Sequence, residues 1–92
     1  MGTPLEGIRV LDLTVWLQGP YGTAMLADMG AEVIKVEDVP QGDPARGLNL
    51  SAATGVFPPS PINYLIELQS RGKKSVAINL RQAGGREAMH RL

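Results

Sequence analysis

Cysteine is absent from the 92 residues, which excludes disulfides and thiolate catalysis and removes the usual ligand of a structural zinc. Aromatics are scarce, with only Trp16, Tyr21, Phe57 and Tyr64 available to fill a core. No apolar run approaches the roughly 18 residues of a membrane span. The Met-Gly-Thr-Pro start lacks the charged-then-apolar pattern of a secretory signal. The expected location is therefore the cytoplasm, with no membrane partner. Basic residues are not interleaved with aromatics, so nucleic acid is not an expected partner either. The sequence holds no metal-spaced cluster and no Ser–His–Asp arrangement, and no metal is expected. His90, in a basic segment near the end, reads as an exposed helix residue rather than a catalyst.

Glycine and proline are abundant, together 18 of 92 residues, which implies long irregular connections. The length allows at most one domain with a modest core. The expectation is one unit over 1–92 that is a piece of a larger protein or needs a partner. Formal charge is zero overall, but residues 1–70 carry a net −5 and residues 71–92 a net +5. A basic end of this kind suits phosphate or an acidic partner, or simply a solvated helix face and strand edge.

The stretch Ile8–Glu37 organises the rest. Ile8, Val10, Leu11 and Leu13 form a short apolar run suited to a buried parallel strand. Gly19-Pro20 breaks it, and proline's fixed φ fits the first turn of a helix. Ala24, Met25, Leu26, Ala27 and Met29 predict a helix of about three turns from Tyr21, with Gly30 as its C′ stop. Glu32–Glu37, half β-branched, predicts a second parallel strand. In such βαβ units ligands bind beyond the carboxyl ends of the strands, here Thr14–Gly22 and Asp38–Arg46. Residues 38–61 read as one long loop, functional or mobile. Asn63–Gln69 suits a short helix or an extended segment and is read as helix, Arg71–Ser75 reads as a basic turn, and Val76–Leu80 as a third strand by its alternation. Gln82–Leu92 reads as an amphipathic helix cut off by the end of the chain.

The Thr14–Thr23 turn carries the strongest chemical signal. A strand-to-helix turn offers backbone N–H groups and a positive dipole end to a carboxylate, thioester oxygen or phosphate, and it also suits a plain turn with glycine for packing. Gln18 has the amide to donate to an oxyanion. Glu37-Asp38 stands where NAD enzymes hold a ribose hydroxyl, but the glycine fingerprint is missing. Arg46 is suited to a phosphate or carboxylate, or to an ion pair with Asp43.

Several ordered segments resemble a known family. These are Pro4–Thr14 (PLEGIRVLDLT), Gly19-Pro20, Leu26–Glu37 (LADMGAEVIKVE), Gly42-Asp43 with Arg46, Arg71–Leu80 (RGKKSVAINL) and Gly85-Arg86-Glu87. Together they resemble the amino-terminal segment of the class III CoA-transferases, which include formyl-CoA and carnitine-CoA transferases and α-methylacyl-CoA racemases. The resemblance implies an α/β, Rossmann-like fold, a parallel βαβ three-layer piece of a larger CoA-transferase, binding coenzyme A in a protein that forms homodimers. It implies transfer of CoA from an acyl-CoA to a carboxylic acid acceptor, in which an aspartate takes the acyl group as a mixed anhydride that a second acid or CoA then resolves. No catalytic residue lies within this chain, so the isolated segment is expected to be inactive. By the same resemblance Leu17, Gln18 and Gly19 line the acyl end, and Ile78 and Arg81 hold the adenine end. Asp38 stands where the family often has arginine over the CoA, and Leu17 where formyl-CoA transferase has glutamine. Oxalate and formate are therefore not expected substrates. The alternatives are a racemase-like segment or a stand-alone CoA- or nucleotide-binding or assembly module.

Overall fold

The computed structural model describes residues 2–47 and 61–92. Its elements are β1 (Arg9–Asp12), α1 (Gln18–Asp28), β2 (Glu32–Glu37), a 3₁₀ turn (Pro44–Gly47), α2 (Tyr64–Ser70), β3 (Lys73–Ala77) and α3 (Ala83–His90). The three strands form one parallel sheet in the order β1-β2-β3. This is the α/β arrangement expected from the βαβ stretch.

β2 runs over the expected residues and lies between its two neighbours. Val33, Ile34 and Val36 are buried on it, and Val10↔Val33↔Lys73 are in register across the sheet. Registered residues of parallel strands share a face, and successive residues alternate. One face therefore carries Val10, Asp12, Val33, Lys35, Glu37, Lys73 and Ser75. α1 lies against this face, where Thr23 Oγ1 donates to Asp12 Oδ2 at 2.7 Å, and α2 packs on α1. The opposite face carries Arg9, Glu32 and Lys74, joined across the three strands by Arg9 Nε–Glu32 Oε2 at 2.6 Å and Lys74 Nζ–Glu32 Oε1 at 2.7 Å. Here Arg9 also donates to the Leu92 carbonyl at 2.8 Å. α3 begins against Asn79, because a Cβ at Gly85 would lie 1.9 Å from the Asn79 oxygen. That approach explains a glycine inside the helix.

Three boundaries differ from the sequence expectation. α1 starts at Gln18, not Tyr21, so Gly19 and Pro20 sit inside its first turn, where a missing N–H costs nothing. It ends as expected, with Gly30 at φ 100° after Met29. β3 starts at Lys73, inside the expected basic turn, and ends at Ala77; Ile78 N still donates to Glu37 O at 2.9 Å. Residues 44–47 of the expected long loop form the 3₁₀ turn, and 48–60 lie outside the described residues. α2 is capped by Asn63, whose Oδ1 accepts from Ile66 N at 3.2 Å.

The acidic front and basic end meet within the chain. Arg71 pairs with Asp28, Lys73 with Asp12, Lys74 with Glu32 and Arg81 with Asp38. The charge split is thus largely a record of strand and helix pairing.

Gln69 on α2 is buried, and its side-chain amide has no hydrogen-bond partner among the described residues. An unsatisfied buried amide carries its full desolvation cost. Gln69→Met, which keeps the volume and removes both polar atoms, is expected to raise stability by about 1–2 kcal/mol in urea denaturation; a loss would show that the amide has a partner.

Candidate functional site

The carboxyl ends of β1, β2 and β3 lie side by side, and every site position expected from the sequence sits on this rim. Leu17 is the residue before α1, Gln18 and Gly19 are its first two residues, and Tyr21 N closes the first turn on Leu17 O at 2.9 Å. Gly19 is required by its surroundings, since a Cβ there would meet the Thr14 side chain at 2.5 Å. Leu13, Val15, Trp16 and Leu17 are all about half exposed. They give this turn an apolar edge.

Below the turn lies a buried polar layer that sequence reasoning missed. Asp12 accepts from Thr14 N (2.9 Å), from Thr14 Oγ1, from Thr23 Oγ1 and from Lys73 Nζ (2.8 Å). Lys73 also donates to Pro20 O at 2.8 Å, in the first turn of α1. The Lys73 and Asp12 side chains are 2% and 0% exposed, so the pair is shielded from water. Burial alone would raise the Asp12 carboxyl, but the bonds from Lys73, Thr14 and Thr23 outweigh it and hold it down at about 2. One signal was visible: a lysine or aspartate within an otherwise apolar strand needs a partner.

A second buried pair, Lys35 Nζ–Asp43 Oδ2 at 2.7 Å, sits beside a cavity of about 190 Å³ lined in part by Thr14, Val15, Asp38 and Pro44. Asp43 also accepts from Ala45 N and Trp16 N. Its carboxyl lies below the ordinary aspartate range because the bonds from Lys35, Ala45 and Trp16 outweigh the burial that would raise it.

Arg46 does not pair with Asp43 as one expectation held. It grips Glu37 with two bonds, Nε–Oε1 at 2.6 Å and Nη2–Oε2 at 2.8 Å. Glu37 takes Ser75 Oγ (2.5 Å) and Asp43 N (3.1 Å) as well. Arg46 is the main cause that holds the Glu37 carboxyl at about 2. Glu37 is buried and fully engaged, so it is not presented to a ribose.

At the β3 end, Arg81 Nη1 meets Asp38 Oδ2 at 2.9 Å and Arg81 Nη2 meets Val39 O at 3.0 Å. Both side chains are open to water, 65% and 58% exposed. The structure thus joins Asp38 to Arg81 and sets Ile78 beside them on the Glu37 carbonyl. The Leu17–Gly19 turn lies two strands away, about 10 Å at ordinary strand spacing. Among the described residues no group of acidic, histidine or cysteine side chains is arranged to hold a metal ion, and no helix is long and apolar enough to cross a membrane.

A family model described as CoA-transferase family III matches residues 5–92. The chain belongs to this family. It is 43% identical over 82 residues to a succinyl-CoA:glutarate CoA-transferase of Mus musculus, covering 89% of this chain and 17% of that protein. It is also 43% identical over 91 residues to a probable fatty acyl-CoA transferase of Mycobacterium tuberculosis, covering 97% of this chain and 21% of that protein. An orthorhombic crystal structure of a Mycobacterium tuberculosis protein superposes with a TM-score of 0.80 at 41% identity, over 98% of this chain and 24% of that one. A CAIB/BAIF family protein from Brucella suis superposes with a TM-score of 0.78 at 33% identity, over 99% of this chain and 23% of that one. The chain thus spans about one fifth of the length of the relatives it matches.

Proposed function

We propose that this chain is the CoA-binding front segment of an acyl-CoA:carboxylate CoA-transferase. The observation that carries the reading is the family match over residues 5–92, whose relatives are named CoA-transferases. In this reading a catalytic aspartate outside the 92 residues attacks the thioester carbonyl and expels CoA as its thiolate. The thiolate then attacks the aspartyl carbonyl of this anhydride, which releases the donor acid and leaves an aspartyl-CoA thioester. The acceptor carboxylate displaces the thiolate to form a second anhydride, and the thiolate attacks its acceptor carbonyl, giving the new acyl-CoA and free aspartate. The rim described above supplies binding and no covalent step. No metal is needed, and coenzyme A enters as a substrate. The location is cytoplasmic and the working form a homodimer.

Ile78 offers backbone and Arg81 a guanidinium to the adenine and phosphate end of CoA, while Leu17–Gly19 face the acyl end. Arg81 is held by an exposed carboxylate, Asp38. Exposed ion pairs of this kind contribute little, so a phosphate competes for Arg81 readily. The apolar residues left exposed on α1 and at its C-cap (Tyr21, Met25 and Met29) fit a segment covered by further chain.

Arg81→Ala in the full-length protein is expected to raise the Kd for CoA about tenfold, the loss of one charge-assisted contact. Titration calorimetry reads this directly. Asp38→Ala, which frees Arg81, should not weaken binding. An unchanged Kd for Arg81→Ala would remove Arg81 from the site.

A further inference from the structure

Trp16 has φ 71°, the left-handed region, and glycine aside it is alone in this among the described residues. A bulky side chain is disfavoured there and persists only where its surroundings impose the conformation. Packing does not impose it, because Trp16 is 49% exposed. The buried Lys35–Asp43 pair does. Asp43 Oδ1 accepts Trp16 N–H at 3.2 Å, and Lys35 Nζ, 2.7 Å from Asp43 Oδ2, donates to Thr14 O at 3.3 Å. One ion pair therefore grips the turn at two points, two residues apart. Its side chains are 5% and 0% exposed. Buried pairs rarely outperform apolar replacements in stability, which fits a role in setting geometry.

The clamped turn supplies Thr14 and Val15 to the wall of the 190 Å³ cavity. Trp16 and Leu17 follow along the turn, outside the cavity lining and half exposed. Two nearby cations are committed, Lys35 to Asp43 and Thr14 O and Arg46 to Glu37, and Arg81, paired with the cavity-lining Asp38, is assigned above to the phosphate end of CoA. A second carboxylate on an acyl group would find no partner among these residues. The cavity itself also carries the carboxylates of Glu37, Asp38 and Asp43, which would repel a second carboxylate, whereas an alkyl chain laid along the turn would find the half-exposed Val15, Trp16 and Leu17.

We propose that the Lys35–Asp43 pair is a positioning clamp for Trp16, and that Trp16 is the specificity-determining residue favouring an apolar acyl chain over a dicarboxylic one. The acyl half rests on the reading of the chain as a CoA-transferase segment; the clamp half does not.

The clamp is tested by equilibrium unfolding of the full-length protein. Trp16→Gly should have an unfolding constant about tenfold smaller than Trp16→Ala, because alanine pays the left-handed cost and glycine does not. That ratio should fall to near one when the clamp is replaced by the apolar pair Lys35→Met with Asp43→Leu, which frees the turn to relax. Equal constants in the native background, or a ratio that survives loss of the clamp, would overturn this half. For the acyl half, hexanoyl-CoA should be preferred to succinyl-CoA as donor. Trp16→Gly should lower that kcat/KM ratio about fivefold or more, through KM for hexanoyl-CoA, as expected for a few methylenes losing an apolar wall. A native preference for succinyl-CoA, or a ratio unmoved by Trp16→Gly, would overturn the assignment of Trp16. Absence of transfer from any acyl-CoA would overturn the transferase reading and the acyl half with it, leaving the clamp to stand on the unfolding data.

Discussion

Asp12→Ala is expected to cost about 3–5 kcal/mol of folding free energy, the range for breaking a buried ion pair from one side. Two consequences add up at this position. Lys73, whose side chain is 2% exposed, keeps its charge with no carboxylate beside it. Thr23 Oγ1 and Thr14 N also lose their acceptor. The substitution removes the knot that ties β1, α1 and β3 together, so a loss of this size is a large part of a small domain's stability. Urea denaturation of the full-length protein measures it. The companion experiment replaces both partners, Asp12→Leu with Lys73→Met. If the single-mutant loss reflects an uncompensated buried charge, the double variant recovers much of it. A single-mutant loss below about 1 kcal/mol, the scale of a surface pair, would mean that water reaches Lys73.

That knot also shows what could be read from the sequence. β2 was legible to the residue, because Val33, Ile34 and Val36 sit in a compact β-branched run and Gly30 marks the helix end before it. The helix read over Asn63–Gln69 is present as α2, with Asn63 outside it as the N-cap. β3 was misplaced, because Lys73 and Lys74 read as solvent-seeking turn residues. What turns Lys73 into a strand residue is Asp12, 61 positions away, and local patterning carries no information about such a partner. The rim was legible in part for a related reason: strand ends and glycine turns are local signals, so Thr14–Gly22 and Asp38–Arg46 could be placed there, whereas Ile78 and Arg81 were reached only through the family resemblance. The Lys35–Asp43 clamp was not, since it joins positions 14, 16, 35 and 43 through a backbone conformation at Trp16 that a tryptophan rarely adopts. Arg46 illustrates the same limit. Asp43 lies nearer in sequence, yet the carboxylate facing Arg46 belongs to Glu37.

Acid should unfold this segment over a predictable window. The Asp12 and Glu37 carboxyls are held at about 2 in the fold, against ordinary values of 3.8 and 4.5. Both values are depressed, so the stability these groups contribute is fully present above pH 4.5 and is lost as pH falls toward 2. A tenfold change in proton affinity between the folded and unfolded chain corresponds to about 1.4 kcal/mol, so each buried carboxylate contributes on the order of 2–3 kcal/mol. Urea denaturation is therefore expected to give a flat stability between pH 7 and 5, then a fall of about 5 kcal/mol by pH 2. Glu37→Gln should flatten part of that fall while lowering stability at pH 7, because Arg46 loses its bidentate carboxylate. Salt separates this source from the surface ladder of Arg9, Glu32 and Lys74, which is screened, whereas the shielded Asp12–Lys73 pair is screened far less. Stability that stays level down to pH 2.5, or an acid response abolished by moderate salt, would place the titrating carboxylates on the surface instead of beneath the rim.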